Sequence, residues 1–247
     1  MSLINDSTGN AVRFINCYNK IDSALRAQGD MKRSISYTEA VKRAARTNEI
    51  VRKYEDDLID YGRLRNAIVH NSDDEDVIAE PKTKVVENYE RIAELICTPP
   101  LAVETVCNKN FHKMDHANTL ADVMRYMYQN GVSNLPIYKD GMLIGVANAN
   151  KITKELGKKI YEKADLNDYV YKSSIEDALK FMMDDNYYTI ADEKITLDKV
   201  LNLFTENRKL LIVIITKSGS LLESPIGIIS VGDIMDINKI LDNYSVN

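Results

Sequence analysis

Two stretches of this chain repeat the same order of apolar runs, and neither is large enough to bury a core alone. The first runs Asn118-Thr-Leu-Ala-Asp-Val-Met-Arg-Tyr-Met-Tyr-Gln, then Val132 to Tyr138, the turn Lys139-Asp-Gly141, and Leu143 to Ala147. The second runs Ile195-Thr-Leu-Asp-Lys-Val-Leu-Asn-Leu-Phe204, then Leu210 to Ile215, the turn Lys217-Ser-Gly219, and Ile226 to Ser230. In both, apolar residues at helical spacing give way to short apolar runs, which predicts helix, strand, turn, strand and a further helix. Two such half-modules must cover each other's apolar faces, so the pattern predicts an α/β module in which the two copies pack face to face.

The second copy closes on Gly227-Ile-Ile-Ser230-Val-Gly-Asp233-Ile234, a short buried strand running into a helix. A helix start offers unpaired N–H groups and the positive end of a dipole, which favour an anion. Ser230 is placed to donate to a phosphate, and Asp233 to accept from the vicinal hydroxyls of a ribose. Ser and Asp are also common caps, so the stretch taken alone admits a purely structural reading. The first copy has Gly145-Val-Ala-Asn148-Ala-Asn-Lys151 instead. An ammonium accepts no hydrogen bond, so the first cleft is not expected to hold a ribose.

Before the repeat the texture is helical. From Val12 to Leu95 apolar residues recur at three and four, with few Gly or Pro inside the runs, which predicts a small antiparallel bundle of about four helices. Cys97-Thr-Pro-Pro-Leu101 breaks that pattern. The expected fold class is therefore α+β, with a helical bundle over 1–97 and the repeat module over 98–247. Within the module the first copy spans about 100–160, a linker 161–182, and the second copy 183–242.

The order of elements, the Leu-Pro-Ile strand and Gly-Ile-Ile-Ser-x-x-Asp resemble a tandem pair of CBS domains over about residues 100 to 242. The resemblance implies a pseudo-twofold α/β module with two clefts, of which the second would bind AMP, ADP, ATP, S-adenosylmethionine or cyclic di-AMP, with no cofactor required. It implies that Gly227 admits the ligand backbone-close, that Ser230 holds phosphate and Asp233 ribose. It further implies that Tyr188, Thr189 and Ile190 line the base pocket and that Arg208 meets a phosphate. In the helical half, Arg65-Asn66-Ala-Ile-Val-His70 is similar to the signature of the HEPN superfamily, small bundles that often dimerise and include RNases. That resemblance implies Arg65, Asn66 and His70 as catalytic residues, with a proton-exchanging His beside a guanidinium for metal-free RNA cleavage. The acidic run Asp73 to Asp76 would repel an RNA backbone, while Lys32, Arg33, Lys42, Arg43, Arg46, Arg52 and Lys53 read either as a basic counterpart or as a solvated helix surface.

Composition narrows the classes. With 32 Lys and Arg against 37 Asp and Glu, bulk charge does not drive salt-dependent attachment to nucleic acid. The apolar run Leu210 to Ile215 is far short of a membrane span, the start lacks a secretory pattern, and a cytoplasmic location is expected. Cys17, Cys97 and Cys107 show no paired spacing, and Cys107, His112, Asp115 and His116 do not amount to a zinc signature. Three readings follow: a regulatory protein whose nucleotide site signals to a homodimeric helical domain, a nucleotide-gated ribonuclease, or a non-catalytic dimerisation adaptor.

Overall fold

The computed structural model describes residues 9–69, 80–182 and 186–243, and the chain divides into two compact units. The first comprises Met1–Pro100, Thr196–Asn202 and Asp236–Asn247, the second Leu101–Ile195 and Leu203–Met235.

In the first unit the chain forms α1 (Asn10–Gln28), α2 (Tyr37–Ala44), α3 (Glu49–Lys53), α4 (Glu55–Val69) and α5 (Thr83–Cys97). Phe14, Cys17, Ile21 and Leu25 share the buried face of α1, and Val86, Tyr89, Ile92, Ala93 and Ile96 that of α5, so these two helices pack along each other. Arg13 and Glu90 close the rim of that contact at 2.7 Å. Phe14, Tyr61 and Tyr89 form a ring cluster with centroids 4.6–5.6 Å apart, a geometry that adds to simple burial. Ser36 and Asn48 start α2 and α3 by accepting from Glu39 N and Val51 N.

The first unit also takes in the end of the last helix, α12 (Ile234–Asn243). Its final carbonyls lack helical partners, and Leu241 O accepts from Arg91 Nη1 at 2.7 Å and from Tyr54 Oη at 3.1 Å. Arg91 also lies over the Tyr54 ring at 5.1 Å, and Lys53 pairs with Asp242 at 2.9 Å. Sequence patterning assigned this helix to the C-terminal half alone, because its hydrogen-bond partners lie far back in the chain.

The second unit opens with α6 (Ala102–Thr105) and carries two three-stranded sheets, β1-β2-β3 and β4-β5-β6. The first consists of β1 (Met114–Asp115), β2 (Asn134–Lys139) and β3 (Met142–Asn148); the second of β4 (Tyr188–Asp192), β5 (Ile212–Thr216) and β6 (Gly227–Ser230). Each has one parallel and one antiparallel pairing in the same order. Helices α7 (Leu120–Asn130) and α11 (Leu197–Glu206) occupy equivalent places, as do α8 (Ala149–Tyr161) and α12. The two turns match as well, since Gly141 and Gly219 have φ of 82° and 81°, a region that side-chain-bearing residues rarely enter.

Along β2, alternate residues face opposite ways. Leu135 and Ile137 join the helix-side core with Leu120, Val123 and Ile152, while Tyr138 joins Leu143, Val146, Tyr187, Ile212 and Ile214 in a core shared by both sheets. The stretch 161–182, expected as a linker, instead carries α9 (Leu166–Lys172) and α10 (Ile175–Leu179). Ile175, Ala178 and Leu179 belong to the helix-side core of the first copy, and Leu179 leaves only 3.2 Å for a Cβ on Gly145. Both helices are too short to show a convincing period in sequence.

Candidate functional site

Strand β6 ends where the candidate site begins. Ile212 aligns with Ser230 across the β5–β6 pairing, and Val231 N donates to Leu211 O at 3.0 Å, so the strand is anchored up to its last residue. Its other side is taken by the segment after α6. Asn108 N donates to Ile228 O at 2.9 Å and Ile228 N to Asn108 O at 3.0 Å. The bare Cα of Gly227 faces Cys107, whose Sγ a side chain there would overlap. The close approach foreseen at Gly227 is thus made by a thiol of the same chain. Nothing in the sequence marks this pairing, because both partners are short and far apart in the chain.

Past β6, a single turn of 3-10 helix (Val231–Asp233) leads into α12. Asp233 Oδ2 accepts from Ser230 N at 2.6 Å and from Ser230 Oγ at 2.9 Å, the first of these being the carboxylate half of a capping box. The capping reading of these two residues is therefore realised. It does not exhaust the carboxylate, which offers about four lone-pair sites, and both residues remain half-exposed. The Cys107 thiol is pushed up to about 11, chiefly by burial, with Lys109 opposing and the Asp233 carboxylate adding to the rise. Cys107 and Asn108 are therefore neighbours of the strand that carries Ser230, which sequence reasoning missed.

The expected base-pocket residues lie on β4. Tyr188 aligns with Ile212, which in turn aligns with Ser230, so the whole of β5 separates them, roughly 9–10 Å at ordinary strand spacing. Tyr188, Thr189 and Ile190 are half-buried, and burial raises the Tyr188 phenol above its usual range. Arg208 is exposed in the turn between α11 and β5. The backbone at Asn108, not β4, is what lies directly against β6.

In the first copy the equivalent strand ends at Asn148, whose Oδ1 accepts from Lys151 N at 3.1 Å and whose Nδ2 donates to Asn134 Oδ1 at 2.8 Å. Lys151 Nζ donates to Met182 O at 2.7 Å. No acceptor stands where Asp233 stands in the second copy.

In the first unit, Arg65 sits near the end of α4, its guanidinium 5.0 Å from the Tyr18 ring centroid and its Nη1 3.4 Å from Asn66 Oδ1. Its Nε is buried without a hydrogen-bond partner among the described residues. Asn66 is exposed. His70 and the acidic run Asp73 to Asp76 lie outside the described residues. His112 stacks on Tyr126 at 4.2 Å, His116 Nδ1 is 3.0 Å from Asp115 Oδ1, and the described residues contain no group of three or more metal-ligating side chains. No described helix is long and apolar enough to cross a membrane.

Residues 103–158 match the family model for the CBS domain, a span that covers the first copy of the repeat. No curated protein matches the chain. Among solved structures, it is similar to the CBS domain of a bacterial CNNM/CorC family Mg2+ transporter in complex with ATP, at 17% identity and a TM-score of 0.43, covering 61% of this chain and 94% of that one. It is also similar to CBSX2 in complex with AMP, at 16% identity and a TM-score of 0.42, covering 58% and 98%. A third is the CBS domain pair of protein MJ0100 in complex with 5′-methylthioadenosine and S-adenosyl-L-methionine, at 20% identity and a TM-score of 0.42, covering 57% and 97%.

Proposed function

We propose that this chain is a regulatory protein whose second unit binds an adenine-containing nucleotide beside Ser230 and Asp233 and whose helical first unit responds to it. The observation that carries the reading is the half-exposed hydroxyl–carboxylate pair at the end of β6, in a chain whose residues 103–158 match the CBS-domain model. In this reading Asp233 keeps its bond to the Ser230 backbone and turns its remaining acceptor capacity to the ribose diol. Ser230 Oγ transfers its proton donation from the carboxylate to a phosphate.

The route to the helical unit is covalent. Helix α12 begins directly after Asp233, and from Asp236 onward it belongs to the first unit. A ligand shifts that unit only by the difference in its affinity for two arrangements, so a ligand-induced change in the first turn of α12 is the step to look for. The helical unit is proposed to pair with a second copy, which sedimentation equilibrium with and without nucleotide tests directly.

Calorimetric titration with AMP, ADP, ATP, S-adenosylmethionine and cyclic di-AMP tests the site. Asp233→Ala removes charge-assisted hydrogen bonds and is expected to weaken binding by about 10- to 150-fold. Binding that is indifferent to that substitution, or no binding to any of the five, refutes the reading.

A further inference from the structure

The two copies differ at the place of the ribose carboxylate, and the first copy fills that place from within. Asn148, at the position of Ser230, is 3% exposed and has both ends of its amide engaged, by Lys151 N and by Asn134. Lys151, at the position of Asp233, sends its ammonium to Met182 O at 2.7 Å and lies 4.4 Å from the centroid of the Tyr187 ring. Tyr187 is itself 3% exposed and donates its hydroxyl to Val146 O. Val146 is the counterpart of Ile228, the residue that the Asn108 backbone pairs with in the second copy. A buried aromatic ring, a cation on its face and a carbonyl on the cation thus occupy the end of β3.

We propose that Lys151 and Tyr187 form an internal plug in the first cleft, so that the chain takes one adenine nucleotide, at Ser230 and Asp233, and none at Asn148 and Lys151. This rests on the nucleotide-binding reading of the second copy. A nucleotide entering the first cleft would have to displace the ammonium from contacts that include the Met182 carbonyl and the Tyr187 ring face, where desolvation strengthens the cation–π attraction. It would find no acceptor for its ribose, since an ammonium only donates. The plug also ties the start of α8 to the segment leading into β4, through Met182 and Tyr187.

Two measurements on the full chain test it. The first needs no ligand: acylation by an N-hydroxysuccinimide ester, read by peptide mass spectrometry, is expected to modify Lys151 about tenfold or more slowly than the exposed Lys154 on the same helix. Equal rates overturn the plug. The second is titration with AMP and with ATP: one site per chain for the wild type, none for Asp233→Ala, and two for Lys151→Asp, with circular dichroism verifying its fold. Two sites in the wild type, or one that survives Asp233→Ala, overturn the plug and leave a nucleotide-binding protein. No binding to wild type or Lys151→Asp removes the nucleotide reading and the single-site stoichiometry with it, while the acylation rates report on the plug separately.

Discussion

Gly227→Ala is the substitution whose outcome the structure constrains most tightly. A methyl group on Gly227 would overlap Cys107 Sγ and come within 3.2 Å of Asn108 O, while the Cys107 Cβ would be at an ordinary 3.6 Å. The sulfur must rotate away or the pairing of Asn108 with Ile228 must open. Overpacking of this kind costs about 1–3 kcal/mol. Cys107→Ala removes the clashing atom at a cost of roughly 1 kcal/mol of lost burial. In that background Gly227→Ala meets only the Asn108 carbonyl and is expected to cost under about 1 kcal/mol, giving a coupling of about 1–2 kcal/mol between the two positions. Hydrogen exchange at the Ile228 amide, which donates to Asn108 O at 3.0 Å, reads the effect where it arises. Gly227→Ala should speed that exchange by about 5- to 150-fold, at 1.4 kcal/mol per factor of ten, and Cys107→Ala should restore most of the protection. Costs that add within about 0.5 kcal/mol would mean that the thiol is not what Gly227 makes room for.

Arg91→Ala removes a donor from Leu241 O and should cost about 1–3 kcal/mol of protection at the end of α12, measured by exchange of its last amides. Cys107, with its thiol pushed up to about 11 from 9.0, should react with iodoacetamide at pH 8 roughly a hundredfold more slowly than an ordinary thiol, because the thiolate is the nucleophile. Asp122 is held below its ordinary 3.8, first by the Thr119 hydroxyl and then by the Thr119 backbone. Its stabilisation of α7 is therefore present above pH 3.8 and lost as pH falls through the lower folded value. Carboxyl NMR titration should find its midpoint moved up toward 3.8 in Thr119→Ala. For the ribonuclease alternative, RNA cleavage by the wild type that disappears in folded His70→Ala would establish it, and cleavage that survives would remove it.

The repeat was legible because each copy carries its own local signals. The change from helical to strand spacing places α7, β2 and β3, and again α11, β5 and β6, within a few residues of where they lie. Lys139-Asp-Gly141 and Lys217-Ser-Gly219 announce turns whose final glycine adopts positive φ. What escaped were relations between distant residues. β1 is two residues long and takes its identity from pairing with Ile137 and Tyr138, not from any pattern of its own. Helix α10 became part of the first copy's core through Leu179 and its neighbours, a placement that five residues cannot encode by periodicity. At the candidate site, Ser230 and Asp233 were legible as types and spacing, and so was the Lys151 that stands at the corresponding position of the first copy. That Cys107 and Asn108 flank them, with β5 between them and Tyr188, follows from strand order, which no single stretch contains.

The pairing of Asn108 with Ile228 has a consequence for biosynthesis. A ribosome delivers Asn108 about 120 residues before Ile228, so the second unit cannot close its ladder until both copies have been made. A nascent or truncated chain lacking β6 would hold Asn108 with its donor and acceptor open, a state prone to recruit a foreign strand. Half of this module is therefore not a smaller working version of it, and cutting the gene between the copies should yield fragments that aggregate when made alone and recover only when supplied together.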